Sequence, residues 1–394
     1  MVNVKISALA RPRFKANPYP FYARLRAEAP VCPTKFLGEP TWLVTRYRDV
    51  FMLLKDDRFV KDWPPKTRWI HFVAGAITRN MLNTDAPHHT RLRTLVHKAF
   101  TPSLVERLRE RIQSICDELL DKLATNGRID LMSGYALPLP LTIIAELLGI
   151  PAEDRGRFHA RSRSSLSSST TMGVLRAVPD QRLLIRQMRK LIARRRRDPR
   201  EDLITALVQA EEAGDKLNEK ELVAAIFLLL IAGYETTVNL IGSGALGLIQ
   251  NPEQRDLFER NPALAESAIE ELLRYTSPLE VASQRFARED LTIDSVNISQ
   301  GDIVIAVLGS ANHDESVFPD PEALDITREP NKHVAFGQGV HFCLGAPLAR
   351  LEGQIALTTL FRRFPDLRLA KALESLRWRK SLIVRGLEEL PVAI

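Results

Sequence analysis

At 394 residues, 45% hydrophobic and 26% charged, the chain has the composition of an ordinary soluble globular protein and the length to bury one large core. Three cysteines, Cys32, Cys116 and Cys343, are odd in number and far apart, which excludes a disulfide framework or a paired-cysteine zinc site and fits a reducing cytoplasm. The net charge of +7 raises the question of an acidic partner. The densest basic run, Arg194, Arg195, Arg196 and Arg197, has no interleaved aromatics for base stacking and closes a helical segment, where cations complement the helix dipole. It reads as a solvated helix end, with no nucleic-acid partner.

In chain order, residues 1–10 are too short and too weakly apolar for a signal peptide, so neither export nor a membrane anchor is expected. Strand-like alternation spans 41–47, and helical periodicity follows over 90–124 and 139–148. The segment 161–171 is rich in Ser and Arg and leads into 172–179, which reads as a loop between helices. It serves either as a mobile lid or as a surface helix end. Helical patterns resume over 181–197, 202–213, 219–250 and 262–275. The run 222–249 is long enough to suggest a membrane span, but Glu235 and Asn239 near its middle make a buried core helix the better reading. Strands are expected over 291–298 and, after a turn at Ser299, Gln300 and Gly301, over 302–308. The sum is a mainly α chain with small β-sheets, organised as a single domain over 1–394.

The stretch carrying the most chemistry runs from Phe336 through Gly337, Gly339, His341, Phe342 and Cys343 to Gly345, ahead of a helix over 348–364. Its glycines lack a Cβ and permit a tight loop that approaches a bound group closely. Cys343 would sit at a helix N-terminus, where the dipole and open N–H groups stabilise the thiolate that ligates metal. A cysteine taken alone is more often a small buried apolar residue. Upstream, Ala232, Gly233, Glu235 and Thr236 lie mid-way along the long apolar helix, where a Thr hydroxyl often bonds back to a carbonyl and a Gly often only eases packing. Glu271 and Arg274, one helical turn apart, can pair on one face. His89 and Arg93 share a helix face, whereas Arg91 points elsewhere and His88 is out of register.

The block Phe336, Gly337, Gly339, His341, Cys343 and Gly345 resembles the haem-binding loop of the cytochrome P450 family, and the likeness extends over almost the whole chain. It implies the cytochrome P450 fold, with haem b (iron protoporphyrin IX) between the long central helix and the Cys-loop helix, and Cys343 as the iron ligand. By the same resemblance Ala232 and Gly233 open space for dioxygen, and Glu235 and Thr236 deliver protons, Glu235 as relay and Thr236 ordering water. A buried carboxylate at Glu235 would be costly without such a role. Glu271 and Arg274, with Arg328 as a third member, correspond to the family's core ion pair. His89, Arg93, Arg285 and His341 fall where the family binds the haem propionates. Substrate-facing positions are expected over 63–77, 172–178, Ala232, Gly233, 279–283 and at Leu382 and Ile383. The resemblance implies a cytoplasmic, monomeric monooxygenase. One atom of O2 enters a lipophilic polyketide, macrolide, terpenoid or fatty acid, with electrons from a ferredoxin and its NAD(P)H-dependent reductase. Competing readings are a non-catalytic haem-thiolate sensor, which needs no acid–alcohol pair, a Cys343–His341 hydrolase, which leaves Glu235 and Thr236 unexplained, and a nucleic-acid-binding protein.

Overall fold

The computed structural model describes residues 4–36, 38–63, 80–124, 127–158, 171–212 and 217–394. The chain divides into two compact units: Met1–Val60, Leu108–Leu139 and Thr236–Ile394 form one, Lys61–Arg107 and Pro140–Glu235 the other.

The first unit is built on the helix Glu235–Gln250, buried at every position from Thr237 to Leu248. Such burial all round demands close helix contacts, and a Cβ at Gly242 would run into the sulfur of Met132. The helices Arg109–Leu123 and Ala346–Arg363 pack together, joined by Gln113 donating to Thr359 at 3.2 Å, and the Tyr135 hydroxyl donates to the Ala356 carbonyl at 2.8 Å. A five-stranded sheet runs in the order Val31–Phe36, Glu39–Val44, Ile303–Ala306, Arg285–Ala287 and Phe59–Val60. Only its second and third strands pair in parallel, with Val44 opposite Ala306. Apolar residues along these strands, including Val31, Val44, Ala287 and Val304, form one face of a core with Val50, Leu53 and Leu54.

In the second unit the helix Glu219–Ala232 begins at a capping box: Asn218 accepts from the amides of Lys220 and Glu221, while Glu221 accepts from the amide of Asn218 at 2.8 Å. Glu221 also pairs with Arg91 at 3.1 Å, so Arg91 does turn away from the His89–Arg93 face.

Several sequence expectations change. The expected helix over 90–124 is three helices, His88–Ala99, Pro102–Arg107 and Arg109–Leu123, with the first break just before Pro102. Residues 172–179 are not a loop: the helix Thr171–Arg197 runs through Pro179, because helix-forming residues on both sides outweigh the one lost backbone donor. The adjoining 159–170, and with them most of the proposed lid, lie outside the described residues, as do 64–77 of the expected substrate-facing stretch 63–77. The strand expected over 291–298 is a hairpin, Leu291–Ile293 with Val296–Ile298, turned by Asp294 and Ser295, both at positive φ. The basic run is not wholly solvated: Arg195 is buried, paired with Asp202 and donating to the Gly149 carbonyl at 2.9 Å. Glu219–Gln250 is one stretch apolar enough to cross a membrane, with mean hydropathy 1.7 in its most apolar window, of which 61% is buried. It is interrupted at Gly233 and Tyr234, between the helices Glu219–Ala232 and Glu235–Gln250.

Glu352 lies inside the helix Ala346–Arg363, 1% exposed, and its carboxyl oxygens meet no donor among the described residues. Burial pushes this carboxyl well above the usual range, so the folded state keeps its proton where the unfolded chain has lost it. The unfolded state then binds fewer protons than the folded one, and stability declines as pH rises from the ordinary carboxyl range toward the raised folded value. Glu352→Met is expected to remove that decline and to add about 1–3 kcal/mol at neutral pH. Thermal unfolding of both proteins across weakly acid to weakly alkaline buffers checks this, with the gap widening at the alkaline end.

Candidate active site

The loop ahead of the helix Ala346–Arg363 is held by its own backbone. The Cys343 amide donates to the Phe336 carbonyl at 3.0 Å, the Gly337 amide to Val334 at 2.9 Å and the Phe342 amide to Gly339 at 3.0 Å. Gly337 and Gly339 take φ of +70° and +72°, and a Cβ at Gly339 would come within 2.8 Å of the Leu54 carbonyl. Both the left-handed backbone and the close approach require glycine there. Gly345, at φ −83°, is the N-cap of the helix, so Cys343 sits two residues before it.

Cys343 is exposed, unusual for a residue type so often buried, whereas Cys32 and Cys116 are buried. Burial raises the Cys32 thiol and pushes that of Cys116 up to about 12, so neither is a ready thiolate. Arg350, one helical turn into Ala346–Arg363, is held by Glu270 and feels the charge of Cys343, and both push its pKa up. Nothing in the motif flagged this support. Arg350 donates to Glu270 at 2.6 and 2.8 Å, His333 meets the same carboxylate at 3.1 Å, and the Arg350 guanidinium stacks 4.6 Å over the Phe336 ring. Burial alone would raise the Glu270 carboxyl, but the hydrogen bonds from Arg350 and His333 hold it at about 2. The only available signal was that Glu270 adjoins Glu271 and that His333 lies just ahead of Phe336.

The ion pair read from Glu271 and Arg274 is fully buried and bidentate, at 2.7 and 2.8 Å. Arg328 joins it at 3.2 Å, as anticipated, and Asn331 adds a donor at 3.0 Å. Arg274 also donates to the carbonyls of Asn312, Pro321 and Ala323, the chain leading into the Cys loop. Arg285 is buried on its strand, donating to the carbonyls of Phe59 and Leu54, and His341 is half-buried in the loop.

In the second unit His89 is buried and His88 exposed, as their register implied. Burial lowers the His89 pKa, with the Arg93 charge adding to the effect, which places the two side chains within electrostatic reach. Ala232 and Gly233 end their helix, and a Cβ at Gly233 would approach the Ile144 side chain at 2.8 Å. Glu235 is half-buried rather than buried, a correction that follows from the helix break: it occupies the first turn of Glu235–Gln250, where the dipole favours a carboxylate. Thr236, next to it, is also half-buried.

Cys343, an exposed thiol just ahead of a helix in a loop that requires glycine, fits the one protein donor that a haem-thiolate iron needs. Among the described residues no cluster of three or more His, Cys, Asp or Glu side chains is placed to hold a metal ion. The sequence model of the cytochrome P450 family matches residues 4–151, 178–259 and 261–370. The polyketide biosynthesis cytochrome P450 PksS of Bacillus subtilis is 44% identical over 97% of this chain and 96% of its own. Its solved structure superposes with a TM-score of 0.91 at 43% identity, covering 98% of each chain. The 6-deoxyerythronolide B hydroxylase of Saccharopolyspora erythraea is 40% identical over 97% of both chains. P450BioI, solved in complex with hexadec-9Z-enoic acid ligated acyl carrier protein, superposes at TM-score 0.91 and 39% identity, over 97% of this chain and 99% of that one.

The chain belongs to the cytochrome P450 family. It is a monooxygenase with haem b as prosthetic group, acting on lipophilic molecules with dioxygen and redox partners. When bound, a thiolate-ligated haem supplies an electron-rich iron that favours O–O bond cleavage.

Proposed function

We propose that this enzyme hydroxylates or epoxidises a long acyl or polyketide-type substrate, using electrons from a ferredoxin and an NAD(P)H-dependent ferredoxin reductase. It works in the cytoplasm as a monomer whose residues 1–394 form one catalytic domain. The observation that carries this reading is Cys343, exposed in a glycine-shaped loop at a helix start. The substrate class is supported by PksS, by the 6-deoxyerythronolide B hydroxylase and by the acyl-loaded carrier protein bound to P450BioI. In this reading Cys343 ligates the iron, Phe336, Gly337 and Gly345 shape its loop, and Ala232 and Gly233 leave room beside it. His89, Arg93, Arg285 and His341 hold the propionates. For the electron donor, support comes from exposed Lys55, whose backbone lies against Gly339, and from Val340, 65% exposed on the same loop. A cation beside an apolar side chain suits an acidic partner.

Glu235 and Thr236 would manage the proton. Glu235 is half-buried in the first turn of its helix, a carboxyl that can exchange protons with water, and the adjacent Thr236 hydroxyl both donates and accepts. Thr236→Ala is expected to leave haem content intact while product formed per NAD(P)H consumed drops about tenfold or more. Measuring both in the reconstituted system checks it, and unchanged coupling removes Thr236 from the assignment. The function itself is tested by titrating the ferric enzyme with fatty acids, macrolides and their carrier-bound forms. A low- to high-spin shift followed by turnover with ferredoxin supports it, and turnover confined to a different donor class replaces the ferredoxin.

A further inference from the structure

Away from the Cys loop, the first unit buries a charged network that the reaction does not use. Lys15 is 0% exposed, Tyr22 0% and Glu280 1%. The Lys15 ammonium pairs with one oxygen of the Glu280 carboxylate and the Tyr22 hydroxyl donates to the other. Lys15 also donates to the Leu382 carbonyl at 3.4 Å. Arg385, 7% exposed, binds the Lys15 carbonyl at 2.9 Å and lies 4.2 Å over the Trp378 ring. A buried ion pair is weak support for stability by itself, because desolvation offsets most of its attraction, so its place in the fold matters more than its strength.

That place is the junction of two backbone segments. The Glu280 amide donates to the Ile383 carbonyl at 2.8 Å and the Arg385 amide to Pro278 at 3.0 Å, while Leu279 bridges Val384. Glu280 points inward while its neighbour Leu279 is half-buried, and Ile383 presents an apolar side chain 50% exposed. These are the segments 279–283 and 382–383 expected to face substrate. The N-terminal segment therefore grips both from behind, through the carboxylate of one and the carbonyl of the other.

We propose that Lys15, Tyr22 and Glu280 form a positioning device that fixes the register of segments 279–283 and 382–383, and so determines how a lipophilic substrate lies against them. The proposal rests on the substrate-facing reading of those segments. The three act through the segments they hold, which makes them positioning residues.

The test compares wild-type holoenzyme with Lys15→Met and with Lys15→Met/Glu280→Gln, which removes both charges of the Lys15–Glu280 pair and so escapes the penalty of a lone buried carboxylate. Amide hydrogen exchange at Glu280, Val281 and Arg385 reports register without any substrate. Spin-shift titration with myristic acid and the ratio of its oxidation products report substrate placement. In the double variant exchange at those amides is expected to be about tenfold faster or more, myristic acid to bind about tenfold more weakly, and the product ratio to change. The carbon monoxide difference band should keep the wild-type position. Exchange unchanged in both variants overturns the proposal, as does faster exchange with affinity and product ratio unaltered. If wild-type enzyme gives no spin shift with myristic acid, the substrate reading is what fails, and the exchange result alone decides the positioning role.

Discussion

Cys343→Ser is expected to yield a folded, haem-binding protein whose reduced carbon monoxide complex loses the red-shifted band of a thiolate ligand, with monooxygenase turnover down by more than ~100-fold. That bound exceeds the usual loss from removing an outer-shell partner, because here the ligand atom itself changes. A serine hydroxyl is scarcely ionised at neutral pH and cannot replace the electron donation of a thiolate. The fold should survive: the Cys343 amide bond to Phe336 does not involve the sulfur, and the exposed side chain fills no core position. The matching control is Cys116→Ser, in which a buried thiol beside Tyr135 is replaced, and there the carbon monoxide band should remain while stability declines. Absorbance spectra of the reduced carbon monoxide complexes of both variants decide the matter. A thiolate band persisting in Cys343→Ser would remove this cysteine from the iron.

Much of the fold was legible because its signals are local. The helix 262–275, the Cys loop and the core ion pair were all readable from spacing and resemblance, and Glu271, Arg274 and Arg328 meet as expected. Where the reading failed, periodicity had no way to register a break. Residues 219–250 are apolar on both sides of Gly233 and Tyr234, so the hydrophobic pattern runs across the interruption that places Glu235 in the first turn of a new helix. The 291–298 hairpin was merged into one strand for a different reason: Asp294 and Ser295 shift the apolar positions from 291 and 293 to 296 and 298, and they turn the chain at positive φ without the usual glycine. Support from distant residues was also invisible: Glu270, His333 and Arg350 lie up to 80 positions apart, and only folding brings them to the Phe336 ring.

Arg274→Ala is expected to abolish recovery of soluble, haem-loaded protein. The deletion strands the Glu271 carboxylate at 0% exposure with Arg328 as its remaining cation, and breaking a buried pair on one side costs about 3–5 kcal/mol. That is a large share of the roughly 5–15 kcal/mol by which a protein is stable. It also removes the donors to the Asn312 and Pro321 carbonyls, leaving two backbone acceptors without side-chain partners along the chain that approaches the Cys loop, while the Ala323 carbonyl keeps only its bond from Arg328 at 3.3 Å. Arg274→Lys keeps the charge but has a point-like ammonium in place of the planar fork, so it can serve the carboxylate or the carbonyls, not both. It should give protein with a lower melting temperature and reduced haem occupancy. The apolar double variant Glu271→Leu/Arg274→Met separates the two contributions. If the ion pair were only an offset between two charges, removing both would restore stability, as in other buried pairs. Here restoration should be incomplete, because the Asn312 and Pro321 carbonyls and the Asp325 amide, which donates to Glu271 at 3.0 Å, still lose their partners. Haem-to-protein ratio and thermal midpoint, measured together on the single and double variants, check the ordering. A double variant as stable and as fully loaded as wild type would reduce this network to a dispensable ion pair.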